Sequence, residues 1–183
     1  MNRTQRLCRV LRYFASVLFG LSIFALVVSP FMSFSPGFVL DFANHQLRLL
    51  DVDAFRFTSE HLNWMLRTNA FLWLALAMGS AVLSLGALIR LLQQFEDGKA
   101  FSGESARLVR FLGWLQIATA PATMLMSWSL ALTTRALLHQ SIHPWRSAFG
   151  ESLGALFFGG ITLLIAHILD EGFRLKTEQD LVI

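Results

Sequence analysis

His139 and His143 stand four residues apart, a spacing that brings two imidazoles onto one helical face, where they can share a metal ion. His45 and His61 fall on the same predicted side of the membrane. Pro144, directly after the pair, ends such a helix, and Glu151 is the nearest carboxylate. The plainer reading is a pair of interfacial histidines beside Trp145, so no metal or cofactor is expected. Cys8 is the sole cysteine, which excludes an internal disulfide and a cysteine cluster. Arg6, Arg9 and Arg12 around it can lower a thiol pKa or suit lipidation, but an inert thiol is the simpler expectation. His167 precedes Asp170 and Glu171, with which it can make a structural contact. No H-E-x-x-H, G-x-S-x-G, Walker-type or paired intramembrane carboxylate pattern is present.

The elements that must position these groups are set by four apolar runs without a charged residue, 13–34, 70–89, 111–134 and 152–166. The chain of 183 residues is 55% hydrophobic, with a mean hydropathy of +0.55. A helix rising about 1.5 Å per residue crosses or nearly crosses a hydrocarbon core of about 30 Å with such a run. A bilayer leaves backbone polar groups no partner but themselves, so the runs are predicted to be helices. The expected fold is all-α: one domain, 1–183, of four transmembrane helices, spanning about 13–34, 70–92, 110–134 and 151–169. The basic start followed by an apolar run resembles a signal peptide. That run exceeds an h-region, and 27–30 is a poor cleavage site, so a retained first helix is expected.

Charge sets the orientation. Ten Lys and Arg residues fall on the side of both termini, among them Arg3, Arg6, Arg9, Arg12, Arg90, Lys99, Arg107 and Arg110. Five fall on the other side: Arg48, Arg56, Arg67, Arg135 and Arg146. The positive-inside rule places both termini in the cytoplasm, as an even number of spans requires. The net charge of +3 is scattered along the connections, which fits topology rather than direct nucleic-acid binding. Arg3 to Arg12 recur every third residue, and a short helix carrying them could lie on anionic lipid before turning into the membrane.

Two connections are predicted to be ordered. Pro36-Gly37 breaks the first helix, and 36–69 forms an outer cap rich in Phe and Leu. Within it 55–58 alternates like a short strand, and Thr58 can cap a turn running into the second span. On the inner side, Glu96-Asp97-Gly98-Lys99 reads as a polar turn. Ser102 can cap the next helix, with Glu104 near its positive N-terminal end and Phe101 packed before it.

Pro121 lies in the third span and removes one helical hydrogen bond, with Thr119, Thr123 or a neighbouring helix compensating. Small residues at Gly150, Gly154, Ala155, Gly159 and Gly160 allow close helix approach, inside the bundle or between two copies. Ion-coupled transport needs intramembrane charge. The span interiors offer only Ser, Thr and Gln, including Ser80, Gln116, Thr123, Ser127, Ser129 and Thr162. Catalysis and active transport are therefore not expected.

Two segments carry a resemblance. One is Leu91-x3-Phe95-x-Asp97-Gly98-Lys99-x-Phe101-Ser102-x2-Ser105-x-Arg107-Leu108-x4-Leu112-Gly113. The other is the tail from Asp170-Glu171-Gly172-Phe173 to Glu178-Gln179-Asp180-Leu181-Val182-Ile183. Together they resemble the YoaS-like family of small bacterial four-helix inner-membrane proteins of unknown function. The resemblance implies a bacterial inner-membrane location. Because family members are often encoded beside a small helix-turn-helix regulator, it also implies a cytoplasmic regulatory protein as partner. The tail suits either packing onto the inner loop or capture by a partner, and packing is favoured because terminal apolar residues are normally covered.

The leading functional expectation is a non-enzymatic membrane protein that binds a partner or senses the membrane, with a candidate surface of Phe101, Ser102, Glu104, Glu178, Asp180 and Leu181. The bilayer is its solvent, and a homo-oligomer is compatible with its small residues. The alternative is a subunit of an oligomeric channel or small-molecule carrier, motivated by the hydroxyls and proline of the third span. Last comes a metal protein or enzyme using the outer histidines.

Overall fold

The computed structural model describes residues 3–49, 56–98, 102–138 and 145–180; the side chains of 3–5, 49, 138, 145–151, 176, 179 and 180 fall outside that description. Five α-helices follow in order: α1 (Arg3–Phe34), α2 (Pro36–Leu49), α3 (Trp64–Glu96), α4 (Gly103–Leu138) and α5 (Trp145–Asp180). A 3-10 turn, Ser59–His61, precedes α3. Four of them, α1, α3, α4 and α5, contain stretches long and apolar enough to cross a membrane: Arg6–Phe34, Trp64–Glu96, Gly103–Leu137 and Ser152–Leu175. Among the described residues there is no strand.

The chain divides into two compact units. The terminal unit comprises Met1–Ser22, Ser80–Ala118 and Ala155–Ile183. The central unit comprises Ile23–Gly79 and Thr119–Gly154.

In the central unit, α2 is the element that a membrane span alone would not require. Pro36 opens it, because proline is preset for the first turn of a helix and lacks an N–H that would be orphaned there. Val39, Ala43 and Leu47 recur every four residues along it and are buried against Phe57, Leu66, Ala70 and Leu130. Each fully buried Val or Leu of this kind contributes roughly 1.5–3 kcal/mol relative to exposure in water. The strand-like segment around Phe57 forms no strand. The Asn44 side chain takes the place of a neighbouring strand: Phe57 N–H donates to its Oδ1 at 2.7 Å, and its Nδ2 donates to the Phe57 carbonyl at 3.1 Å. Thr58 closes only the short turn, where its N–H donates to His61 Nδ1 at 3.3 Å. The cap of α3 is Asn63, whose Oδ1 accepts from Leu66 N–H at 3.1 Å.

Two prolines lie inside helices. Pro30 deprives the Leu26 carbonyl of its partner, and the Ser29 hydroxyl donates to that same carbonyl at 2.8 Å. Pro121 withdraws the backbone donor of the Ile117 carbonyl, and the hydroxyls nearby go to a different carbonyl. Thr123 Oγ1 (2.9 Å) and Ser152 Oγ from α5 (3.3 Å) both donate to the Ala120 carbonyl, one residue before the proline. Asn69, buried on α3, donates to Ser129 Oγ on α4 at 2.7 Å.

In the terminal unit the basic start is not a separate surface helix, because α1 runs unbroken from Arg3. No glycine or proline separates Arg12 from the apolar run, and Glu96 at the end of α3 holds two of the arginines. Arg9 Nε lies 2.8 Å from Glu96 Oε1 and Arg12 Nη1 lies 2.9 Å from Oε2. Helices α4 and α5 approach at Gly113 and Gly159. A Cβ on Gly113 would lie 2.8 Å from Leu163 Cγ and 3.1 Å from the Gly159 carbonyl. One on Gly159 would lie 2.7 Å from Ile117 Cγ1 and 3.0 Å from the Gly113 carbonyl. Gly154 and Gly160, equally eligible by spacing, face open space.

Candidate functional site

The polar hairpin between α3 and α4 is built from local rules. Helix α3 ends at Glu96, and Gly98 adopts φ +74°, the left-handed conformation that glycine takes most cheaply after a helix. On the far side, Ser102 Oγ accepts from Ser105 N–H at 3.2 Å and Ser102 carbonyl accepts from Ala106 N–H at 3.2 Å, which makes Ser102 the N-cap of α4. Glu104 stands in the first turn, where the helix dipole favours a negative charge, and accepts from Gln94 Nε2 at 2.8 Å. The hairpin is thereby tied across its own width.

The tail arrives on the same unit as the end of α5. Phe173 lies over Gly103, where a Cβ would be 3.6 Å from its Cε1. Arg110 Nη2 pairs with Asp170 Oδ2 at 2.8 Å, joining α4 to α5. Both side chains are about half exposed, so this pair contributes roughly 0–1 kcal/mol and acts more on register than on stability. Arg174 reaches Glu171 at 4.0 Å and Glu178 at 3.2 Å along one exposed helical face. Asp170 and Glu171 are thus engaged by arginines, not by His167, whose side chain is exposed.

Of the six candidate surface residues, Ser102 and Glu104 belong to the helix cap and Glu178 to the charged face of α5. Asp180 is the last residue of α5 and its side chain is outside the described set, as are Phe101 and Leu181 altogether. No described hydrogen bond or ion pair links Ser102 or Glu104 to Glu178; the tail meets the hairpin at Phe173. His139, His143 and Pro144 also lie outside the described residues. His45 is exposed on α2 and His61 is bound to Thr58. Among the described residues no three of His, Cys, Asp and Glu come together.

The residues that sequence reasoning passed over are Asn44, Asn69, Ser29 and Pro30. Asn69 stood one position before an apolar run, and Asn44 reads as an ordinary helical amide until Phe57 is brought to it.

These features define a class: a multi-pass helical membrane protein whose four long helices expose apolar side chains such as Phe24, Phe31, Leu125, Phe157 and Ile168. Within that class, residues 56–183 match the model of the DUF2975 family, described as a protein of unknown function, and the chain belongs to that family. No curated protein and no solved structure matches the chain. The matched region contains α3, the hairpin, α4 and α5; α1 and α2 precede it.

Proposed function

We propose that this is a non-enzymatic membrane protein of the YoaS-like kind, in a bacterial inner membrane with both termini cytoplasmic, which acts by binding a cytoplasmic regulatory protein. The observation that supports this reading is the course of α5. It does not stop where the uncharged run ends at Ala166 but continues through Asp170, Glu171 and Arg174 to Asp180, presenting Leu175, Thr177 and Glu178 in exposed positions beyond Phe173, which meets the hairpin at Gly103. A folded extension with exposed apolar and charged groups is a surface another protein can grip. The third-span hydroxyls that motivated a pore give that reading little support: Thr123, Ser127, Ser129, Thr133 and Thr134 each donate to a carbonyl of their own helix.

The test is photocrosslinking in cells from Glu104 and Glu178 of the intact protein, read by mass spectrometry. Recovery of one and the same cytoplasmic protein from both positions is expected. Crosslinks confined to lipid, or running only from one position to the other, would overturn the reading.

A further inference from the structure

A groove of about 360 Å³ runs between α1 and α3 in the central unit, its walls formed by Pro30, Phe34, Trp64 and Phe71, with Ser33 and Arg67 at its polar edge. Thr68 also lines it. We propose that this groove binds one anionic phospholipid, with an acyl chain against the aromatic wall and the phosphodiester on Arg67. The inference is independent of the partner-binding reading above.

Three observations carry it. Among the described residues of the lining, Arg67 is the one that carries a charge; it lies within the membrane-spanning stretch Trp64–Glu96, half-buried, and no described carboxylate pairs with it. A guanidinium at the edge of hydrocarbon requires a counter-charge, and its planar fork matches two phosphate oxygens. Next, among the described lining residues the donors left to an occupant are Arg67 and the Thr68 hydroxyl. No described hydrogen bond engages that hydroxyl, whereas Ser33 gives its proton to the Ser29 carbonyl at 2.9 Å and presents only an acceptor. A guanidinium and a hydroxyl donor with no described carboxylate beside them favour an anion. A zwitterionic headgroup would also bring an ammonium to a place that offers it no described carboxylate. Finally, the walls are uncovered: Trp64 is 73% exposed and Phe34 70%. Tryptophan at that depth belongs to the headgroup boundary, where a phosphate would lie.

The occupant could be a phospholipid, a free inorganic anion or a second copy of the chain, and the measurement separates them. Full-length protein is stripped of lipid in mild detergent and titrated with dioleoylphosphatidylglycerol, dioleoylphosphatidylcholine or inorganic phosphate, with bound mass read by native mass spectrometry. One phosphatidylglycerol per chain is expected, in preference to phosphatidylcholine. Arg67→Gln should weaken its retention by about tenfold or more, the size of a lost charge-assisted hydrogen bond. Arg135→Gln, an exposed arginine outside the groove, should leave retention unchanged.

A second readout does not depend on the arginine variant folding. Brominated phosphatidylglycerol should quench tryptophan fluorescence saturably, and Trp64→Phe should remove that saturable component. The proposal fails if Arg67→Gln retains phosphatidylglycerol like the parent, or if phosphatidylcholine binds equally well. It also fails if inorganic phosphate competes at equal concentration, if a dimer mass replaces the lipid adduct, or if Trp64→Phe leaves the quenching intact.

Discussion

At the scale of the residue, the chain shows how one side chain answers a specific deficit. Asn44 supplies both a donor and an acceptor to Phe57, whose backbone would otherwise be buried without a ladder. Gly113 and Gly159 are required by absence: at either position a methyl group would meet atoms closer than 3.0 Å. Gly113→Ala or Gly159→Ala is therefore expected to destabilise the protein by about 1–3 kcal/mol through overpacking. Gly160→Ala, which faces open space, should be close to neutral or slightly favourable through helix propensity. Thermal unfolding of the three variants in one detergent checks this; equal shifts for Gly113 and Gly160 would show that the crossing is not where the packing is tight. The Leu112-Gly113 pair behind the family resemblance thus has a steric reason in the approach of two helices.

At the scale of the element, α1 carries a proline in its interior with a hydroxyl placed at the fault. Ser29 donates to the Leu26 carbonyl, the group that Pro30 leaves without a backbone donor. A double-mutant cycle isolates this. Ser29→Ala alone should cost about 1–3 kcal/mol, the range for an orphaned buried acceptor. In the Pro30→Ala background, where the backbone N–H returns, the same change should cost much less. Additive effects would mean that Leu26 is satisfied some other way. The hairpin follows the same logic with polar groups: Ser102 caps α4, Glu104 ties to Gln94, and Gly98 turns the chain out of α3. The Ser102 cap, the place of Glu104 in the first turn and the turn at 96–99 were legible in the sequence because capping and turn chemistry depend on neighbours three or four residues away. The Gln94 tie, ten residues apart, was not. Nor were the Glu96 partner of Arg9 and Arg12 and the Arg110 partner of Asp170, because each depends on how helices distant in sequence are rotated about their axes. Glu96 and Arg9 are 87 positions apart.

At the scale of the whole molecule, four long apolar helices make a multi-pass membrane protein, and the distribution of ten against five basic residues sets the expected orientation. Reporter fusions at either terminus should be active on the cytoplasmic side, and a reporter inserted at 51–53 should be active on the opposite side. A terminus found outside would overturn the orientation and with it the cytoplasmic partner. The apolar runs themselves determined the number of spans, since hydrocarbon admits only self-bonded backbone over that length. Composition and local spacing likewise determined the helical class, the break at Pro36 and the Ser102 cap. Tertiary structure alone decided which glycines meet, which carboxylates the arginines take, and that Arg67 lines an apolar groove. Those outcomes depend on the rotation and register of whole helices, which a pattern of small and apolar residues on several faces leaves degenerate until packing selects one.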